Sequence, residues 1–211
     1  YNFFSVTAIG YIEGERALRR NGMKVGDDIW VSGDLGEPIT ALQLQKESKK
    51  LIQPIPKVDL GLKIREFATS SIDLSDGLSS DLRHLILASF SGNSDKIYVE
   101  LYFEEMLKCL SQNMLNWFAG KKDNLDLVML ALQSGDEYEL CFSAPVDART
   151  KIREIGKNLN LPISLIGSVR ERSSENNFNF VNDRNDGLLW LKSLTNTFDN
   201  IFVEKSGYVH F

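Results

Sequence analysis

Apolar and polar positions along the chain switch repeatedly between a period of two and a period near 3.6. Residues 3–12 are rich in aromatic and β-branched side chains and predict a strand. Residues 24–28 read as a turn, and residues 29–32 as a short strand closed by Gly33. Residues 37–48 predict a helix, which Gln53-Pro54-Ile55-Pro56 ends because proline has no N–H for the helix ladder. Over residues 58–68, Leu60, Ile64 and Phe67 share one helical face. A strand follows over 71–74, and Ser75-Asp76-Gly77 turns into a helix whose shared face is Leu78, Leu82, Leu85 and Ser89. Asp81, Arg83 and His84 fall on its other faces. Further strands are predicted over 97–102, 137–143 and 163–169, and helices over 104–118, 124–133 and 146–159. Residues 170–177 read as a polar loop and 178–181 as a possible hairpin strand, while residues 195–211 show little periodicity. Strands and helices alternate, so the fold class is α/β or α+β with one layered core.

Composition narrows the choice of partner. The 24 basic residues are outnumbered by 29 acidic ones, leaving a net charge of −5. No basic footprint for nucleic acid exists, although phosphorylated small molecules carried by metal ions stay open. No run of 18 apolar residues occurs, so no membrane-spanning helix is expected. Cys109 and Cys141 are too few for a disulfide framework and read as buried free thiols, which fits a reducing, cytoplasmic setting. The start lacks a basic n-region and a Met, and enters directly on strand-like residues. The expectation is a chain cut inside a longer protein.

Chemistry concentrates in two segments. In Ser70-Ser71-Ile72-Asp73-Leu74-Ser75-Asp76-Gly77-Leu78, an aspartate sits inside an apolar strand, where it is disfavoured. If buried, Asp73 needs a hydrogen-bonding or metal partner. Ser75 lies two residues on and so faces the same side, and Asp76 follows at a helix start. Two carboxylates and a hydroxyl beside a positive helix end suit Mg²⁺ with phosphate oxygens. The plainer reading makes Ser75 an N-cap and Asp76 a favourable first-turn acid. In Ser134-Gly135-Asp136-Glu137-Tyr138-Glu139-Leu140, three acids straddle a strand start. They form either a solvated edge or an acidic rim that meets a cationic ligand. His84 and His210 read as structural, and no Walker P-loop or Cys/His metal spacing is present.

These segments resemble those of the thiamine-monophosphate kinase family, in the superfamily of aminoimidazole ribonucleotide synthetase. Four ordered blocks carry the resemblance: residues 6–10 with 16–22, residues 25–33, residues 72–78 and residues 134–140. The closing Gly207-Tyr208-Val209-His210-Phe211 is similar to the family's terminal Gly-Tyr-Asp-His-Phe. The resemblance implies the superfamily's fold, a mixed sheet with helices. Residues 1–22 would be the end of an N-terminal domain and linker, with a leftover strand, and residues 23–211 the C-terminal domain. It implies ATP and thiamine monophosphate as substrates, Mg²⁺ as cofactor, a homodimer at full length, and no membrane or nucleic-acid partner. By residue, it implies Mg²⁺ at Asp73 and Asp76, ATP at Ser75, and thiamine phosphate at Asp136 and Tyr208. The family usually has Gly-Gly-Glu-Asp-Tyr-Glu-Leu, so the swapped acids leave Asp136 or Glu137 as the substrate contact. Val209 stands for the family's Asp, and Gln53 and Lys57 for the arginines that flank its prolines. The family's aspartate-rich N-terminal motifs would precede Tyr1, so the chain alone is expected to be inactive.

Overall fold

Residues 5–12, 14, 17–172, 188–195 and 201–203 are described in a computed structural model of the chain. Its strands are β1 (Asp28–Ser32), β2 (Ser70–Asp73), β3 (Ile97–Tyr102), β4 (Leu140–Ala144), β5 (Ile163–Glu171), β6 (Leu188–Lys192) and β7 (Ile201–Val203). They form one sheet in the order β2-β4-β1-β5-β3-β6-β7. β3 and β6 pair in parallel and every other neighbouring pair is antiparallel, so the sheet is mixed, as expected. A register shift between Ile29 and Trp30 bends β1 where it meets β5.

Both faces of this sheet are covered, which is why β1 is buried at every position rather than at alternate ones. Ile29 and Val31 point to one side and join Cys141, Leu82, Leu85, Ile86, Val128 and others in the larger core. That side is covered chiefly by α4 (Leu78–Ser89), α5 (Phe103–Lys108), α6 (Gln112–Trp117) and α7 (Asn124–Leu132). Trp30 points to the other side and stacks on Phe142, with ring centroids 6.5 Å apart. There α3 (Val58–Ile64) and α8 (Arg149–Leu159) cover the sheet with Leu60, Ile64, Ile152 and Ile155. α1 (Glu37–Leu44) and the short α2 (Lys49–Ile52) lie between β1 and α3 in the chain.

Several sequence expectations change. Residues 5–12 form no strand, and Val6, Ile9 and Tyr11 are almost fully exposed. Strand propensity needs a neighbouring ladder, and no described segment pairs with them. The helix expected over 37–48 ends at Leu44, because Gln45 turns left-handed (φ 52°) and caps the carbonyls of Ala41 and Leu42. The helix expected over 104–118 is two helices. Leu35 breaks it by donating to the Cys109 carbonyl and accepting from the Ser111 N–H. β6 and β7 had no sequence signal: Leu188-Leu189-Trp190-Leu191 does not alternate, as befits a strand inside the sheet. Residues 178–181, like Tyr208 and His210, lie outside the described residues. Cys109 and Cys141 are buried and free, as expected, and burial raises the Cys109 thiol to about 11 and the Cys141 thiol higher still. Among the described residues, no helix is long and apolar enough to cross a membrane.

Candidate active site

β2 ends on Asp73, whose carboxylate is exposed rather than buried in the strand. The sequence argument for a buried, partnered Asp73 is therefore corrected: the three residues before it are buried, and the chain leaves the sheet with Asp73 outermost. Leu74 returns to the core, and Ser75 and Asp76 are half-buried. Ser75 Oγ donates to Asp76 Oδ1 at 3.1 Å. Neither of these residues caps α4. The N-cap is Gly77, with φ 100° and ψ 144°. A Cβ there would sit 3.0 Å from the Gln133 backbone, so only glycine lets the turn lie against the end of α7.

The residue that holds this turn is one that the sequence reading placed off the shared apolar face of the helix, without a role. Asp81 is 2% exposed, and its Oδ2 accepts the backbone N–H groups of both Ser75 and Asp76 at 3.0 Å. Burial, chiefly, and the charges of Asp76 and Asp73 raise its carboxyl to about 6, against the pull of those two N–H groups. A signal was present: Asp81 lies four residues after Gly77, within the first turn of the helix, where a carboxylate can reach back to free N–H groups.

Residues 134–140 run alongside. Tyr138 donates its N–H to the Leu74 carbonyl, Asp136 donates to the Ser75 carbonyl, and Leu74 donates to the Glu139 carbonyl, at 2.8, 2.9 and 2.8 Å. Asp136 and Tyr138 adopt positive φ, 58° and 52°, so regular strand begins only at Leu140. Left-handed backbone in two non-glycine residues is strain that only surrounding structure can hold. It sends Asp136 and Tyr138 outward, where the Tyr138 hydroxyl donates to Asp136 Oδ1 at 3.0 Å. That bond, then burial, then the charges of Asp136 and Asp73 push the phenol up.

Glu137 and Glu139 point the other way, at 2% and 3% exposure. Glu137 accepts from the Gly36 N–H at 2.5 Å and pairs with Lys50 at 2.8 Å. It thus fills the anion seat at the N-terminus of α1. Burial pushes its carboxyl up against Lys50 and the Gly36 N–H, while Glu137, Glu139 and Asp34 together raise Lys50 despite its own burial. Glu139 accepts from Ser32 Oγ at 2.6 Å and pairs with Lys57 at 3.2 Å. Gly33 (φ 64°) makes room for it, since a Cβ there would meet the Glu139 carboxylate at 2.2 Å. The expectation of a solvated edge therefore fails for these two residues.

A cleft of about 570 Å³ opens beside the two turns. Asp73, Tyr138, Leu140, Pro54, Pro56 and Lys57 line it, with Leu18 and Arg20 also in the lining. The Arg19 carbonyl, accepting from the Ser71 N–H, ties that last segment to β2. Ser75, Asp76 and Asp136 do not line the cleft; the backbone bonds above set them next to residues that do. Among the described residues no three His, Cys, Asp or Glu side chains could hold a metal ion together. Asp73 and Asp76 fit Mg²⁺ only as part of a set, as hard oxygen donors that leave most positions to phosphate and water.

A mixed sheet with helices on both faces is an architecture shared with other proteins. Hydrogenase maturation protein HypE has it, with a TM-score of 0.59 over 92% of this chain and 57% of that chain, at 13% identity. Such a likeness shows the fold alone, and it is the aminoimidazole ribonucleotide synthetase-like fold expected from the sequence. No family model matches the chain. Its sequence is similar to thiamine-monophosphate kinases. It is 31% identical over 211 residues to the one from Buchnera aphidicola subsp. Acyrthosiphon pisum, covering 92% of this chain and 60% of that protein. It is 29% identical over 191 residues to the one from Haemophilus influenzae, covering 85% and 55%. A solved thiamine-monophosphate kinase from Stenotrophomonas maltophilia superposes with a TM-score of 0.65 at 31% identity, over 75% of this chain and 52% of that one. AaThiL complexed with AMPPCP and TMP superposes at 0.62 and 25% identity, over 92% and 54%. The resemblance to the thiamine-monophosphate kinases thus holds over nearly the whole chain, and the chain spans a little over half the length of the curated relatives it matches.

Proposed function

We propose that this chain is the C-terminal part of an ATP-dependent kinase that converts thiamine monophosphate to thiamine diphosphate, with residues 23–211 as one domain and residues 1–22 as a linker from the preceding one. The observation that carries the reading is the stapling of the 73–76 turn to residues 136–138 at one cleft. Segments about sixty residues apart in sequence, each resembling a family block although the acids at 136 and 137 are swapped, meet there through backbone hydrogen bonds. AaThiL, which superposes on the chain, is complexed with AMPPCP and TMP, and that supports ATP and thiamine monophosphate as the substrates here.

Asp73 and Asp76 would hold Mg²⁺. The ion, when bound, supplies charge neutralisation for phosphoryl oxygens. Ser75, whose hydroxyl lies against Asp76, would contact ATP. Asp136, directed outward and oriented by the Tyr138 hydroxyl, is the better candidate for the cationic substrate than Glu137, which is buried and already paired with Lys50. Tyr208 is proposed as a second substrate contact on the family resemblance alone. No general base is required, because the acceptor phosphate is already an anion, so positioning is the main task of these residues.

The test uses the full-length protein that contains this chain, with ATP, Mg²⁺ and thiamine monophosphate, and measures thiamine diphosphate. Asp73→Asn is expected to lower kcat by about a hundredfold or more, as removal of charge stabilisation at a reacting centre does. Turnover that survives the substitution would remove Asp73 from the site.

A further inference from the structure

The residues of the proline wall, Pro54, Ile55 and Pro56, are exposed and bury no apolar side chain of their own. α2, which leads into it, buries none of its residues, and Ile52 and Ile55 keep more than 70% of their surface exposed. What seats this segment is polar. Ser48 Oγ, before α2, donates to Glu37 at 2.8 Å. Lys50 reaches Glu137 at 2.8 Å and Glu139 at 3.5 Å, and also donates to the Asp34 carbonyl. After the prolines, Lys57 pairs with Glu139 at 3.2 Å. Lys50 and Lys57 therefore bracket Pro54 and Pro56 and share the buried carboxylate of Glu139, with Lys50 also holding Glu137.

Those carboxylates flank Tyr138, which lines the same cleft as the prolines. The bracket thus ties the proline segment to the residues on either side of Tyr138, and the proline segment and Tyr138 both contribute to the cleft lining. Its charges are largely shut off from water, with side-chain exposures of 21% and 18% for the lysines and 1% and 3% for the glutamates. An ion pair in such a place is strong, and breaking one side leaves a costly lone charge. The two prolines, with fixed φ, carry the position of the lysines into the wall between them.

We propose that Lys50 is a positioning residue which, with Lys57, seats the Pro54 and Pro56 wall against residues 136–138 and so sets the width of the cleft. The role does not depend on which substrate fills the cleft, so a failure here and a failure of the kinase reading are separate results. The test is native-state cleavage by thermolysin, which cuts before large apolar residues not followed by proline, with fragments read by mass at Leu51 and Ile52. The double variant Lys50→Met/Glu137→Gln removes both charges and leaves no lone carboxylate. Cleavage within 50–56 is expected to be about tenfold faster in it, with Lys50→Arg remaining within threefold of wild type. Wild-type resistance in the double variant overturns the proposal, and so does an arginine variant cut as fast as the double variant. Should the double variant not fold, Lys57→Met decides. It leaves Glu139 with Lys50 and Ser32, and cleavage at least threefold faster supports the proposal, whereas the wild-type rate overturns it.

Discussion

Asp73 ends β2 and Glu139 directly precedes the neighbouring β4, with the Leu74 N–H donating to the Glu139 carbonyl, yet their carboxylates have opposite fates. Asp73 is exposed at a cleft, whereas Glu139 is buried among Lys57, Lys50 and Ser32. Asp136 and Glu137, adjacent in sequence, repeat the contrast. Direction decides which acid is free to meet a ligand: the inward carboxylates hold the cleft's frame, and the outward ones keep unspent charge. Asp81 belongs with the inward group, since it spends its Oδ2 on the turn that carries Ser75 and Asp76.

The sharpest way to break this contrast is to remove an inward acid. Glu139→Ala strands Lys57 and the Ser32 hydroxyl and is expected to cost about 3–5 kcal/mol, the usual penalty for opening a buried pair. Urea unfolding measures it, and a loss below about 1 kcal/mol would mean that the pair contributes little to the frame. An intermediate effect is expected at Glu104, a half-buried acid that is nevertheless structural. It accepts from Ser193 Oγ, the Leu194 N–H, and the N–H and hydroxyl of Thr195, tying the end of β6 to α5. Burial raises its carboxyl, but these donors outweigh that and bring it down to about 2. A lowered folded-state value stabilises at pH above the unfolded value of 4.5. That stability is lost as pH falls from there toward 2. Glu104→Gln should therefore cost about 1 kcal/mol at pH 7, the scale of hydrogen bonds to a solvent-reached charge, and little at pH 2. A pH-independent difference would refute the assignment. The smallest effect on stability is expected at Asp73: Asp73→Asn should stay within about 0.5 kcal/mol of wild type, as substitutions at exposed sites do. A large destabilisation would make Asp73 a structural acid and erase its difference from Glu139.

Much of the frame was legible in the chain. The strand over 97–102 follows from its period and appears where expected, whereas the helix that the prolines were expected to end stops earlier, at Leu44. The segments at 73–76 and 136–139 stand out because carboxylates are rare beside apolar strand runs. Residues 5–12 misled because their strand propensity has no described ladder to satisfy it, and 188–192 because a strand inside the sheet need not alternate.

The sequence by itself determined which residues could form strands, helices and turns, since those depend on neighbours a few positions away, and it marked the acids worth watching. Only the tertiary structure decided which way each acid points. Left-handed backbone at Asp136 and Tyr138 depends on bonds to Ser75 and Leu74, and the burial of Glu137 and Glu139 depends on Gly36, Ser32, Lys50 and Lys57. Those partners lie tens of residues away along the chain, and a charge takes its role from the dielectric and the donors that the folded chain assembles around it.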